Sequence, residues 1–482
     1  MLREEFINRI ERQMGLVPTG EQREAMQTFA AFLAHRSLPV AMILTGSAGT
    51  GKTTLAAAFV RTLLSLHQRL VLLAPTGRAA KVFSQYSGQS ASTIHRKIYR
   101  QKTVGELYSA YSLSPNRHQD TLFMVDEASM IAADSGDGHS LLLDLLRYVQ
   151  SGRNCRLLLI GDAAQLPPVG EEESPALNQD VLEPLGWTVY SASLNEVLRQ
   201  TGESGILYNA TAIRQLITHD EVTQLPRIRL NGFADVQCVP GDELIEALSD
   251  SYNSVGMDET MVICRSNKRA NIFNQGIRNM ILGREEQISS GDWLMVVKNK
   301  YLSVKAPTAD GMADEASGGG TPLEFIANGD RGLVRKVRNV HEMHGFHFAE
   351  VTLEFPDYDH QELDTLVILD TLTAEAPALT AEQSEQLYTA ILADYEHFAT
   401  KAARQQAMRQ DIYYNALQVK FSYAVTCHKA QGGQWAHIYI DQGYMTDEML
   451  TPDYIHWLYT AFTRATEKLF LVNWPVTQLL NT

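Results

Sequence analysis

Short apolar runs separated by stretches of helical period dominate the first 200 residues. Ala41–Leu44, Leu70–Ala74, Leu122–Val125 and Arg156–Ile160 are apolar on both faces, as strands inside a parallel sheet are. Segments between them, such as Lys52–Leu66, repeat apolar positions at helical spacing, and glycine and proline punctuate the joins. That alternation predicts βαβ architecture. A second strand set follows late: Thr260–Cys264, Phe421–Thr426, His437–Ile440 and Lys468–Val472. Within it the pattern changes. From about Gly291 to Pro356 the short β-like runs DWLMVV, RGLVRKV and FAEVTLEF suggest a small β-barrel. TADGMADEASGGG, Thr308–Gly320, lacks core-forming residues and reads as a loop. Leu379–Gln418 reads as one or two long polar helices. The class expected is α/β, with two parallel-sheet domains and a small β-barrel inserted in the second.

Composition narrows this modestly. A chain of 482 residues exceeds one ordinary core, so two to four domains are expected. Hydrophobic content of 45% and charged content of 20% are globular values. No apolar stretch approaches the ~20 residues that span a bilayer, and MLREEFINRIERQ is too charged for a secretory signal. Cys155, Cys238, Cys264 and Cys427 are scattered, which fits a reduced, cytoplasmic protein and no membrane partner. The net charge of −15 argues against nucleic acid as a general surface partner, yet a local groove can still be basic.

Chemistry enters at MILTGSAGTGKTT. Gly46, Ser47, Ala48, Gly49, Thr50, Gly51, Lys52 and Thr53 fit G-x-x-x-x-G-K-[ST], between a strand and a helix. In such a loop backbone N–H groups, continuing to Thr54, curl around phosphate oxygens at a helix N-terminus. Lys52 would reach the β/γ-phosphates and Thr53 would ligate Mg²⁺. LFMVDEASM then delivers Asp126 and Glu127 to a strand end, Asp126 for the Mg²⁺ shell and Glu127 to polarise a water. LLLIGDAAQLPPVG places Gln165 where it could contact a γ-phosphate. The three pieces, in order, point to Mg-ATP hydrolysis.

Further stretches resemble helicase motifs. APTGRAAK (Ala74–Lys81) and STIHR (Ser92–Arg96) resemble motifs Ia and Ib of RecD-like helicases. LNEVLRQ (Leu194–Gln200), VTCHKAQGGQW (Val425–Trp435) and LYTAFTRA (Leu458–Ala465) resemble later superfamily 1 motifs. Order and spacing match from Gln22 to Arg464, most closely to the RecD- and Dda-like 1B branch. The resemblance implies two RecA-like P-loop domains, a single DNA strand across both, and 5′→3′ translocation. It also implies domains at 1–200, with a short pin-like insert at 98–120, at 201–285, at 286–417 for the barrel insert, and at 418–482.

By the same resemblance, Arg464 and Arg199 are candidate arginine fingers and Gln22 is the adenine reader. Gln431 and Gly432 would stand near the γ-phosphate. Gln434 occupies the place where many relatives carry a ribose-binding glutamate. Pro75, Thr76, Arg78, Thr93, His95, Thr426, His428 and Lys429 are candidate DNA contacts, with Phe83, Tyr108 and Tyr111 as candidate stacking aromatics. Single-stranded and tailed duplex DNA are the expected partners of a monomeric motor, with repair or replication proteins as further candidates. Two other readings stay open on the residues: an ATP-dependent clamp that does not move processively, and the motor subunit of a nuclease complex.

Overall fold

The structure is a computed structural model and describes residues 3–101, 111–133, 140–197, 204–219, 225–302, 325–398 and 400–480. It divides into two compact units. The first draws on residues up to Arg100, Tyr111–Ile263 and the chain from Cys427 onward; the second draws on Cys264–Thr426.

In the first unit, helix α1 (Gly20–Ala34) starts with a capping box between Thr19 and Gln22. There follow β1 (Val40–Gly46), α2 (Lys52–Ser65), β2 (Arg69–Ala74), α3 (Gly77–Ser87), β3 (Ala91–Thr93), β4 (Thr121–Val125), β5 (Arg156–Gly161) and β6 (Thr188–Leu194). The six strands form one sheet in the order β3-β2-β4-β5-β1-β6, and every pairing is parallel. The four apolar runs read from sequence are β1, β2, β4 and β5. β6, TVYSASL, escapes that reading because it is an edge strand whose side chains are mostly part-exposed. Phe29 of α1 stacks on Phe59 of α2 with ring centroids 3.9 Å apart, and both are fully buried above β1. Tyr99–Gln101 and Tyr111–Leu113 pair as a two-stranded ribbon at the expected pin, of which residues 102–110, Tyr108 among them, lie outside the described residues.

Continuing along the chain come α4 (Gly205–His219), β7 (Val236–Val239) and β8 (Thr260–Cys264). The second unit then builds a closed barrel, β9-β10-β11-β12-β13, from Trp293–Val296, Arg331–Met343, Phe346–Phe355, Gln361–Ile368 and Leu417–Phe421. The sequence expectation of a barrel holds, but its end at Pro356 does not. β12 carries a polar half, and β13 arrives only after helices α5 (Ala381–Asp394) and α6 (Lys401–Gln410), so the barrel closes on a strand remote in sequence from the runs read above. The expected strand Phe421–Thr426 is also interrupted. The buried amide of Asn274 bonds the backbone of Phe421, Tyr423 and Ala424 there, where the chain passes from the barrel strand to the short strand Ala424–Thr426.

Just before β9, Asp292 is completely buried and accepts from Arg278 (3.1 Å twice), Arg284 (2.8 Å), the Ser289 N–H (2.7 Å) and the Tyr423 hydroxyl (2.9 Å). A buried carboxylate tolerates such a place when its lone pairs are filled by cationic donors.

The chain returns to the first unit with β14 (Trp435–Asp441), α7 (Pro452–Phe462) and β15 (Ala465–Val472). Its second sheet runs β7-β15-β14-β8, with β7 and β14 both parallel to β15. Helix α7 packs along α4.

Candidate nucleotide and DNA sites

β1 ends at Gly46 and α2 begins at Lys52, so the P-loop bridges a buried strand and a helix N-terminus. Gly49 and Gly51 have φ of +80° and +82°, a region glycine enters without steric cost. Gly49 is also pinned from outside, because a Cβ there would lie 2.9 Å from Leu207 of α4. The Lys52 ammonium folds back onto the carbonyl oxygens of Gly46 and Ser47, the latter at 2.9 Å. Thr53 is exposed on the first turn of α2, with Thr54 half-buried beside it. Thr50 is buried and closes the loop onto the Ser47 carbonyl at 2.8 Å.

Gln22 is fully buried, and both ends of its amide are engaged. Its oxygen accepts the Thr19 N–H at 3.1 Å, and its nitrogen donates to the Thr50 carbonyl at 3.1 Å. In this form it braces the P-loop.

β4 delivers Asp126 and Glu127 next to the loop. Asp126 accepts from the Tyr86 hydroxyl of α3 at 2.5 Å and from the Glu127 N–H at 2.9 Å. Burial raises the Asp126 carboxyl above the usual carboxylate range against the lowering effect of Tyr86, that N–H and Lys52. Glu127 has φ +51° and ψ +38°, a left-handed conformation costly for a glutamate. Its carboxyl lies 3.9 Å from Arg464. Burial pushes Glu127 up as well, Arg464 opposes it, and the net direction is upward. Two neighbouring carboxyls with raised pKa values at a strand end are suited to proton transfer.

The returning segment touches this same region. Arg464 is 2% exposed and donates to the carbonyls of Thr460 (3.1 Å) and Gly433 (3.2 Å) and to the Thr463 hydroxyl (3.1 Å). The Tyr459 hydroxyl accepts the Ala48 N–H of the P-loop at 3.0 Å and donates to Asp162 at 2.6 Å. Leu166 N–H donates to Thr460 (2.8 Å), and the Leu166 carbonyl accepts from Gln431 (2.6 Å). The loop after β5, which carries Asp162 and Gln165, is thus held by α7 and Gln431. The Gln165 side-chain oxygen is buried with no hydrogen-bond partner among the described residues.

Other expected residues fall into distinct places. Gly432, at φ +72°, approaches the start of α3 so closely that a Cβ would lie 3.1 Å from the Thr76 hydroxyl. The Gln434 side chain is exposed, and its carbonyl accepts from Arg78. Thr76 caps α3, and Arg78 lies 4.7 Å over the Trp435 ring. Pro75 is buried. Thr93 is 2% exposed and its hydroxyl caps the short helix Ile94–Ile98, on which His95 is half-buried. His428 and Lys429 are half-buried on Cys427–Ala430, burial lowering the His428 pKa, while Thr426 belongs to the second unit. Phe83 is 0% exposed and stacked against Tyr86, so a base has no access to it. Arg199 and the Tyr111 side chain lie outside the described residues.

Sequence reading overlooked Tyr86, Tyr459 and Arg214. Tyr459 stands inside the LYTAFTRA stretch and was within reach of it. Tyr86 and Arg214 carry no local signal: each matters through a contact that the fold creates, Arg214 by donating to Ser47 of the P-loop at 2.9 Å.

Two family models match parts of the chain. A model of the AAA domain matches residues 27–171, and one of the UvrD-like helicase C-terminal domain matches residues 421–472. The ATP-dependent RecD2 DNA helicase of Deinococcus radiodurans is 28% identical over 302 residues, which are 60% of this chain and 38% of that protein. The ATP-dependent DNA helicase dda of Enterobacteria phage T4 is 26% identical over 275 residues, covering 54% of this chain and 57% of the phage protein. The chain therefore spans less than two thirds of either relative. A Pif1 helicase from Bacteroides, solved with ADP-AlF3 and ssDNA, aligns over 97% of this chain and 95% of that one at 15% identity and a TM-score of 0.46. The chain is thus similar to the AAA domain over its P-loop region and to the UvrD-like helicase C-terminal domain over its C-terminal segment, and it resembles the RecD2 and Dda DNA helicases in sequence.

Proposed function

We propose that the chain is an ATP-driven DNA helicase moving 5′→3′ along a single strand. In this reading two RecA-like lobes, residues 1–200 and residues 201–285 with 418–482, share one nucleotide, and residues 286–417 form an insert on the second. The observation that carries it is the meeting of Arg464 with Glu127 and of Tyr459 with Ala48 and Asp162. Groups from the end of the chain there reach the phosphate loop and the carboxylate that would activate water. An engine needs such reach, because nucleotide occupancy must bias two segments at once.

The donors fit a hard divalent cation: an exposed threonine hydroxyl at the head of α2 and the carboxylate of Asp126. Thr53 and Asp126 would hold Mg²⁺, which supplies charge neutralisation of the phosphates. Lys52 would leave the Gly46 and Ser47 carbonyls for the β/γ-phosphates. Glu127 takes the proton from the attacking water, and Gln165 offers its buried amide to the terminal phosphate. Arg464 keeps Glu127 ionised and counters charge that develops in the transition state.

Thr76, Arg78 and His95, with Thr426, His428 and Lys429, are the proposed contacts to the strand. Phosphate contacts of this kind set register without reading sequence. α3 links the two chemistries, since Thr76 caps its start and Tyr86, near its end, bonds Asp126.

Single-turnover unwinding of a duplex with a 5′ tail, against a 3′-tailed control, tests this reading. Unwinding of the 5′-tailed substrate alone is expected. Unwinding from 3′ tails would refute the polarity, and strand-stimulated ATPase without unwinding would replace the motor by a clamp.

A further inference from the structure

We infer that Arg214, on α4, is a terminal-phosphate contact that lets the site distinguish a nucleoside triphosphate from a diphosphate. The inference rests on the ATPase reading above and adds a cation that no helicase motif named here contains. The Lys52 ammonium lies on the carbonyls of Gly46 and Ser47, which marks the start of the P-loop as the end where the β/γ-phosphates would sit. Arg214 donates to the Ser47 hydroxyl from the other side, at 2.9 Å. Its second amine donates to the Asn195 side-chain oxygen at 2.7 Å. Asn195 is itself fixed, because its N–H and that of Glu196 donate to the Glu21 carboxylate.

The helix that carries Arg214 is held against the loop. Leu207, two turns earlier on the same face, packs over Gly49, where even a methyl group would collide with it. The neighbouring loop amide, Ala48 N–H, is taken by the Tyr459 hydroxyl, and the positive charge of Arg214 acts on that hydroxyl. Arg214 and Tyr459 therefore engage adjacent residues at the mouth of the phosphate loop.

The chemistry favours exchange of partners. Ser47 offers a neutral hydroxyl, whereas a phosphate oxygen is charged and matches the guanidinium fork. Arg464 is differently committed: it is 2% exposed and donates to two carbonyls and a hydroxyl of its own segment. Arg214 is half-buried, and the bond it would exchange for a phosphate oxygen is the one to the Ser47 hydroxyl. A diphosphate stops short of it. In this arrangement α4 responds to the γ-phosphate while Arg464 serves Glu127.

Equilibrium binding of ADP and of the non-hydrolysable triphosphate AMP-PNP, each with Mg²⁺, tests the role in wild type, Arg214→Gln and Arg214→Lys. Glutamine keeps donors for Ser47 or Asn195 but not the charge. It is expected to weaken AMP-PNP roughly 10- to 100-fold while ADP affinity stays within about twofold. Lysine is expected to recover part of the loss. Equal weakening of both nucleotides would reduce Arg214 to a packing role, and unchanged AMP-PNP binding would dismiss it. If Arg214→Gln does not fold, a triphosphate-specific loss in Arg214→Lys decides the same question. Wild type that binds neither nucleotide would overturn the ATPase reading itself.

Discussion

Replacing Arg464 by glutamine isolates the charge that faces Glu127. The two groups lie 3.9 Å apart, the arginine 2% exposed and the glutamate 22%. At an effective dielectric of ~20, opposite unit charges at that spacing attract by about 4 kcal/mol. Water at the glutamate and the nearby Lys52 reduce what is lost, and a stability cost of about 2 kcal/mol follows, below the ~3–5 kcal/mol of a fully buried broken pair. The activity should suffer more. The Glu127 carboxyl already stands above the ordinary range through burial, and Arg464 opposes that rise. Without the arginine it rises further. Glu127 accepts a proton only when ionised, so turnover falls as pH drops through its pKa, and the variant must lose activity at a higher pH than wild type. Strand-stimulated ATP hydrolysis measured from mildly acidic to mildly alkaline pH reads both effects. The expected result is turnover lower by roughly 10³-fold or more with the acid limb displaced upward. A variant with the wild-type acid limb would refute the electrostatic link between Arg464 and Glu127.

Three further outcomes are expected. Glu127→Gln should bind ATP normally and hydrolyse it about 10²- to 10⁴-fold more slowly; wild-type turnover would remove Glu127 as the base. Asp292→Ala strands Arg278, Arg284 and Tyr423 in the barrel unit. It should destabilise that unit by about 3–5 kcal/mol, seen as lost hydrogen-exchange protection in β9 and β13; unchanged protection would mean the network is dispensable. Lys420 is depressed to about 8 from 10.5 by burial, so the unfolded chain binds more protons than the folded one between those values. Stability should therefore climb from pH 8 to about pH 9.5, read as the urea midpoint of the barrel unit. Lys300, likewise depressed to about 8, keeps part of that slope in Lys420→Met. A variant slope equal to wild type would contradict the assignment.

Much of the fold was legible because local apolar pattern and burial coincide. β1, β4 and β5 are buried on both faces, as is the second half of β2, and the P-loop and Asp126–Glu127 sit directly at the ends of β1 and β4. Legibility fails where tertiary contact decides. β6 is polar because it is an edge, and β13 closes the barrel about fifty residues after β12. Gln22 stands out in sequence as a candidate adenine reader, and the fold adds what the sequence does not show, that its amide bonds Thr19 and Thr50. The helix cap made by Thr93 was not legible, because a capping threonine and a phosphate-binding one look alike in sequence. Arg214 had no signal at all: its importance comes from Leu207 and Gly49 holding α4 on the loop.

Directional movement itself is the most direct test of the account. A fluorophore placed at either end of single strands of increasing length, followed by stopped flow after ATP addition, times the arrival of the protein. The account predicts a lag that lengthens with the strand when the label is at the 3′ end, and none when it is at the 5′ end. A length-independent signal at both ends, or a growing lag at the 5′ end, would contradict it.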